Sequence, residues 1–180
     1  MLIDELTTEE SLRLLARTSL GRIACAQGAQ PYVVPLYFAY DNYYLYSFSA
    51  LGQKIEWMRA NPLVCVETDE LVSSQQWVSL IVFGLYEELP DTPKWQLERA
   101  FAVDLLQKRA TWWEPACAKT IVHGIQRPSV PVFYRIRVVR ISGHRASSEP
   151  AALPDTRPSI TDSGENGWLQ RILRQVRGRH

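Results

Sequence analysis

Gly52-Gln53-Lys54 is the stretch of this sequence best placed to do chemistry. Leu51, Ile55 and Met58 recur there at helical spacing, so the triplet stands at a helix start, with Lys54 in the first turn. Free backbone amides, the positive end of the helix dipole and an ammonium group together suit a phosphate. The same residues also describe a solvated lysine on a helix that merely crosses between two strands. The triplet alone does not decide between the two readings.

The other reactive residue types form no constellation. There is no Ser/His/Asp set, no paired-carboxylate pattern and no catalytic residue to name. Cys25, Cys65 and Cys117 are odd in number, far apart and without a Cys-x-x-Cys, which argues against a disulfide framework and a structural zinc site. Cys25 and Cys65 stand in apolar runs and read as buried strand residues. His123 reads as a loop histidine, with haem ligation as the minor alternative, and His144 as an exposed strand-end residue. Trp112-Trp113 reads as core or interface, and Arg135 and Arg137 as a solvated strand face.

The elements that must position Lys54 are mostly strands. Thr7 to Glu10 is a capping-box pattern, which predicts a helix through about Arg17 that buries Leu12 and Leu15. Residues 21–26 read as a strand and 27–30 as a turn. Residues 31–40 read as one strand whose two prolines place it at an edge or a bulge. Asp41-Asn42 is the expected turn of a hairpin into 43–48. After the short helix, Asn61-Pro62 stops it and 63–68 returns as a strand. Residues 77–86 form the next strand, where Gly84 signals a bulge or a close backbone approach. A helix over 93–110 is expected to bury Leu97, Phe101 and Leu105. In the strand 131–142, Val132, Tyr134, Ile136 and Val138 face one way, and Gly143 closes it. About six antiparallel strands with short flanking helices predict a mainly β fold, a closed or partly closed barrel.

The chain has 180 residues, 46% of them hydrophobic, with a formal net charge of +1. That suits one globular domain over residues 1–145 and no general attraction to nucleic acid or anionic membrane. Residues 146–167 shift to a Ser/Pro/Asp/Gly-rich arm, and 168–180 read as an amphipathic helix expected to dock on the rest of the protein. No apolar run reaches the ~20 residues of a membrane span. The acidic start MLIDELTTEE lacks a signal-peptide pattern, so the expected home is the cytoplasm.

Taken in order, Gly21-Arg22-Ile23-Ala24, Pro31 with Val33-Val34-Pro35-Leu36 and Tyr40, Tyr44–Tyr46, Gly52-x-Lys54, Asn61-Pro62-x-Val64-Cys65, and Trp77-x-Ser79 with Gly84 resemble the pyridoxamine-phosphate-oxidase-like flavin-binding proteins. In particular they resemble the branch that includes the nitroimidazole-resistance proteins, over about residues 4–145. The resemblance implies a split β-barrel and a homodimer with FMN at the subunit interface. Relatives that bind haem or deazaflavin make these the alternative cofactors. It implies Lys54 at the phosphate, Val34, Pro35, Leu36 and Tyr37 along the isoalloxazine edge, and Ser47, Ser49, Gln53, Trp77 and Ser79 nearby. Where many members carry a His before the Gly-x-Lys, this chain has Tyr46-Ser47-Phe48-Ser49. The implied function is a flavin-dependent oxidoreductase acting on a small organic substrate. The alternative is a non-catalytic flavin- or haem-binding module with a sensing or storage role.

Overall fold

Period-two alternation of more and less buried side chains runs through residues 20–26, 63–69 and 80–86. The computed structural model describes residues 1–108, 120–122, 125–127 and 131–148. The expected arm, the C-terminal helix, Trp112-Trp113, Cys117 and His123 lie outside the described residues.

Eight strands form one antiparallel sheet that does not close, a split-barrel arrangement. They are β1 (Leu2–Glu5), β2 (Leu20–Gln27), β3 (Gln30–Tyr37), β4 (Ala39–Asp41), β5 (Tyr44–Ala50), β6 (Leu63–Ser73), β7 (Gln76–Glu88) and, last in the chain, a long strand over Pro131–Ser147. A separate hairpin pairs β8 (Thr120–Val122) with β9 (Ile125–Arg127), so the long strand is β10. The spatial order is β3-β2-β6-β7-β10-β5-β4, and β1 pairs with the far end of β10. Among the described residues three α-helices accompany the sheet: α1 (Thr8–Arg17), α2 (Gln53–Ala60) and α3 (Gln96–Gln107).

Several local expectations hold. Thr7 caps α1 with both hydrogen bonds of a capping box. The proline-bearing β3 is an edge strand, where a missing N–H costs no ladder bond. Gly84 marks a close approach: a Cβ there would stand 2.4 Å from Ile136 Cγ2 and 2.8 Å from the Arg137 carbonyl oxygen. Beside it the β10 register slips between Val138 and Arg140.

Other expectations are corrected. Residues 31–40 are two strands, because Phe38 turns inward, fully buried, and its N–H donates to the Ser19 carbonyl. Thus β3 pairs with β2, and only short β4 forms the hairpin with β5. That hairpin turns on Asn42 and Tyr43, both at positive φ, one residue later than expected. In α1 the buried leucines are Leu14 and Leu15, with Leu12 only half-buried. α3 is preceded by a 3₁₀ turn over Pro93–Trp95, and it buries Ala102 and Leu106, with Leu105 half-buried, while Leu97 is 83% and Phe101 43% exposed. The strand does not end at Gly143. That glycine is buried, with Leu80 and Leu6 where its Cβ would stand, and β10 continues to Ser147.

The main core fills one face of the sheet with Ile23, Leu36, Leu45, Val66, Val82, Tyr134 and Ile136, closed by Ile55 and Met58 of α2. On the other face α3 covers the β5 end through Tyr46, Phe48 and Leu106. No helix of the described residues is long and apolar enough to cross a membrane.

Candidate functional site

The helix that carries Lys54 is short and is aimed by contacts at both ends. Asn61 caps its last turn, its side-chain amide donating to the Ala26 carbonyl at 3.3 Å. In that turn Arg59 makes a two-point ion pair with Glu88 at 2.7 Å per contact, and Tyr86 Oη donates to the same carboxylate at 3.0 Å. Arg59 holds the Glu88 carboxyl below the usual carboxylate range.

At the other end, Gly52 occupies the N-cap without a side-chain hydrogen bond to the helix. Its φ of 175° is extended backbone open to any residue, and a Cβ there would meet nothing within 4 Å. What glycine provides here is open space over the first-turn amides, not a special conformation.

Lys54 turns from this terminus toward the core. Its Nζ lies 5.9 Å from the centroid of the Tyr134 ring, and no carboxylate pairs with it among the described residues. Burial pushes its ammonium below the ordinary lysine range, partly offset by the Cys25 thiol. Burial in turn pushes the Cys25 thiol up, an effect that the Lys54 ammonium partly opposes.

Tyr134 is fully buried on β10, directly opposite Ser47 of β5. Its hydroxyl has no hydrogen-bond partner among the described residues, and burial holds its phenol well above the usual value. Ser47, also buried, gives its own proton to the Tyr37 carbonyl at 2.7 Å. The Tyr37 carbonyl, Ser47 and Lys54 therefore gather around one tyrosine that the residue pattern marked only as inward-facing.

The remaining expected site residues are distributed around this group. Gln53 is exposed at the first helical position, and Ser49 Oγ donates to the neighbouring Ala50 carbonyl at 3.0 Å. Val34 and Leu36 point into the core while Pro35 and Tyr37 face outward along the free edge of β3. Trp77 and Ser79 stand elsewhere: they pair with Ala146 and His144 at the far end of β7, whereas Glu88 at its near end pairs with Tyr134. Glu88 stands eleven positions along the strand from Trp77, on the order of 35 Å. Within one chain these two residues do not meet Lys54.

Arg135 is not a solvated side chain. It pairs with Glu87 at 2.8 Å and lies over the Tyr44 ring at 4.2 Å, while Arg137 remains half-exposed. An apolar groove of about 410 Å³ opens on the face away from the main core, lined by Ala24, Leu63, Cys65, Phe83 and Val139. It presents no charged group, so it is not where an anion is held.

The Lys54 group fits an anion instead. It offers a half-buried ammonium with no carboxylate competing for it among the described residues, and uncapped helix amides with open space above them.

The family model for pyridoxamine 5'-phosphate oxidase matches residues 7–145. An uncharacterized protein of Rhizobium meliloti strain 1021 is 38% identical over 146 residues, which cover 81% of this chain and 97% of that protein. The crystal structure of a FAD-binding protein from Mesorhizobium loti is 44% identical, with a TM-score of 0.69 over 82% of this chain and all of that one. A candidate 5-nitroimidazole antibiotic resistance protein of Bacteroides thetaiotaomicron shares the fold at 19% identity, with a TM-score of 0.57 over 81% of this chain and 89% of that one.

Proposed function

This chain belongs to the pyridoxamine 5'-phosphate oxidase family, and on that premise we propose that it binds FMN and acts as a flavin-dependent oxidoreductase on a small organic substrate. The observation that carries the reading is Lys54: a half-buried ammonium at an uncapped helix N-terminus, with no carboxylate partner among the described residues.

In this reading Lys54 and the amides of Gln53 and Lys54 hold the phosphate, and the open space at Gly52 admits it. Ser47 keeps the end of β3 fixed through the Tyr37 carbonyl, so the free edge of that strand can present backbone groups to a flat ring. When bound, a flavin supplies the two-electron chemistry, which is why no acid–base constellation of side chains is required. The chain's task is placement and the exclusion of water. Arg59 and Glu88 set the aim of α2, and the buried faces of Leu36, Tyr134 and Ile55 close the floor.

Trp77 and Ser79 enter the same site from a second copy. The exposed apolar residues Leu63, Phe83 and Val139 are the surface that a homodimer would cover. The FAD-binding relative at 44% identity favours a second reading, FAD in place of FMN. Both carry a phosphate on the ribityl chain, so Lys54 fits either.

The test is a titration of the purified protein with FMN, FAD, riboflavin and haem, followed by absorbance. A flavin-type spectrum with FMN or FAD bound more tightly than riboflavin is expected. A Soret band on adding haem, with no flavin uptake, refutes the reading. Oxidation of a reduced nicotinamide by the flavin-loaded protein separates an enzyme from a binding module. Light scattering tests the dimer: a monomer that binds flavin tightly removes the role given to Trp77 and Ser79.

A further inference from the structure

A half-buried lysine is normally kept charged by a carboxylate, and here it is not. The titratable groups around Lys54 are Cys25 on β2 and Tyr134 on β10, both buried and neutral. An anion site has a reason to avoid an acid at this position. A paired carboxylate would repel the incoming phosphate and would have to be displaced before the lysine could serve. An aromatic face attracts an ammonium without carrying net charge.

We infer that Tyr134 is a positioning residue of the phosphate subsite, whose ring holds the Lys54 ammonium charged and uncommitted to any carboxylate. The inference rests on the phosphate reading of Lys54 given above, and deepens it by naming what prepares that lysine. Three features support it. Lys54 Nζ lies within cation–π range of the ring, at 5.9 Å. The ring is rigidly seated: Tyr134 is fully buried, packs on Tyr86 at 5.3 Å between centroids, and is fixed by strand pairing to Ser47 on one side and Glu88 on the other. The hydroxyl is fully enclosed beside Ser47, out of reach of a ligand, so what the tyrosine can present to the subsite is its ring.

The test compares Tyr134→Phe, which keeps the ring, with Tyr134→Leu and Tyr134→Met, which remove it at two different lengths. Two readouts are needed. The first is the titration of the Lys54 side chain by NMR in protein labelled on lysine, without flavin. The second is the ratio of FMN to riboflavin affinity.

In the Leu and Met variants the Lys54 titration midpoint should fall by roughly 0.5 to 1.5 pH, and the FMN-to-riboflavin ratio should fall with it, by up to about three- to thirty-fold at pH above the parent midpoint. In Tyr134→Phe both should stay within about twofold of the parent. A purely structural role would lower melting temperature but leave the midpoint and the ratio where they were.

An unchanged Lys54 titration in the ring-less variants overturns the inference whatever the flavin results. A changed titration in Tyr134→Phe, which folds with the ring intact, overturns it as well. If the midpoint moves but the parent protein binds FMN and riboflavin equally, the ring contact is real and the phosphate reading is what has failed.

Discussion

Replacing Lys54 with methionine separates the stability of the fold from its affinity for phosphate, and the two should move in opposite directions. Methionine keeps the length and apolar stem of lysine and removes the charge. The ammonium's folded-state pKa is lowered, chiefly by burial. The sign follows. Below the folded value both states are protonated and the fold carries the full penalty of a desolvated charge. As pH rises through the folded value toward the ordinary lysine range, the penalty disappears. At pH 7 Lys54→Met should therefore melt at the same temperature as the parent or higher, with the difference narrowing at alkaline pH. Affinity should show the reverse. One charge-assisted contact to a phosphate is worth ~1.5–3 kcal/mol. That corresponds to a roughly ten- to 150-fold weaker FMN complex. Riboflavin shares the ring and ribityl chain without the phosphate, and should lose less than about twofold. Calorimetric titration of both ligands at fixed salt measures the two losses side by side. Equal losses for FMN and riboflavin would refute the reasoning, because the lysine would then be supporting the ring site or the fold and not the phosphate.

Three further outcomes follow from the same geometry. Gly52→Asp adds an N-cap side chain in open space, so helix stability should rise by a few tenths of a kcal/mol. Its carboxylate would occupy the amides, so FMN binding should fall at least tenfold in a titration. Gly84→Ala should lose about 2 kcal/mol, roughly 4–8 °C in melting temperature. Its Cβ would meet the Arg137 carbonyl at 2.8 Å, a backbone atom that cannot step aside; an unchanged denaturation midpoint would show that β7 and β10 can part. Glu88→Gln should cost about 0.5 kcal/mol at neutral pH, a small figure because the Arg59 side chain is 46% exposed. The Glu88 pKa is lowered, first by its hydrogen bond from Arg59. This contribution is therefore present above the ordinary glutamate range and lost as pH falls through the lowered value, so urea midpoints of parent and variant should converge in acid.

The boundaries of α2 were legible because they are written in local chemistry: an apolar triplet at helical spacing, a glycine before it, Asn-Pro after it. The edge position of β3 was legible for the same reason, since Pro31 and Pro35 cannot donate to a second neighbour. Where long-range packing decided the outcome, the sequence was silent. Phe38 lies in an unbroken β-type run, and only the core into which it turns divides that run into β3 and β4. The buried face of α3 follows the shape of the aromatic cluster at Tyr46 and Phe48, which left Leu97 in solvent. Arg135 read as solvated because its partners, Glu87 and the Tyr44 ring, lie on two other strands. Tyr134 was legible as inward-facing by period two, and a lone tyrosine among inward aliphatics is a signal to ask what it serves. Its place beneath Lys54 was not legible, because strand register sets it and not spacing.

That register also explains why the helix points where it does. β10 is bounded by β5 along Pro131–Arg137 and by β7 from Tyr134 onward, so Tyr134 is where pairing on both sides begins to overlap. Its partner on one side, Ser47, fixes the end of β3 through the Tyr37 carbonyl. Its partner on the other, Glu88, holds Arg59 at the last turn of α2. Lys54, near the first turn of the same helix, reaches the ring that lies between them. Thus the helix is tied at its end to one neighbour of Tyr134 and aims its start at Tyr134 itself. A slip of one residue in the β10–β5 pairing would turn Tyr134 to the other face and carry Arg135 into the core. The cost of burying that unpaired guanidinium guards the register, and with it the position of the lysine.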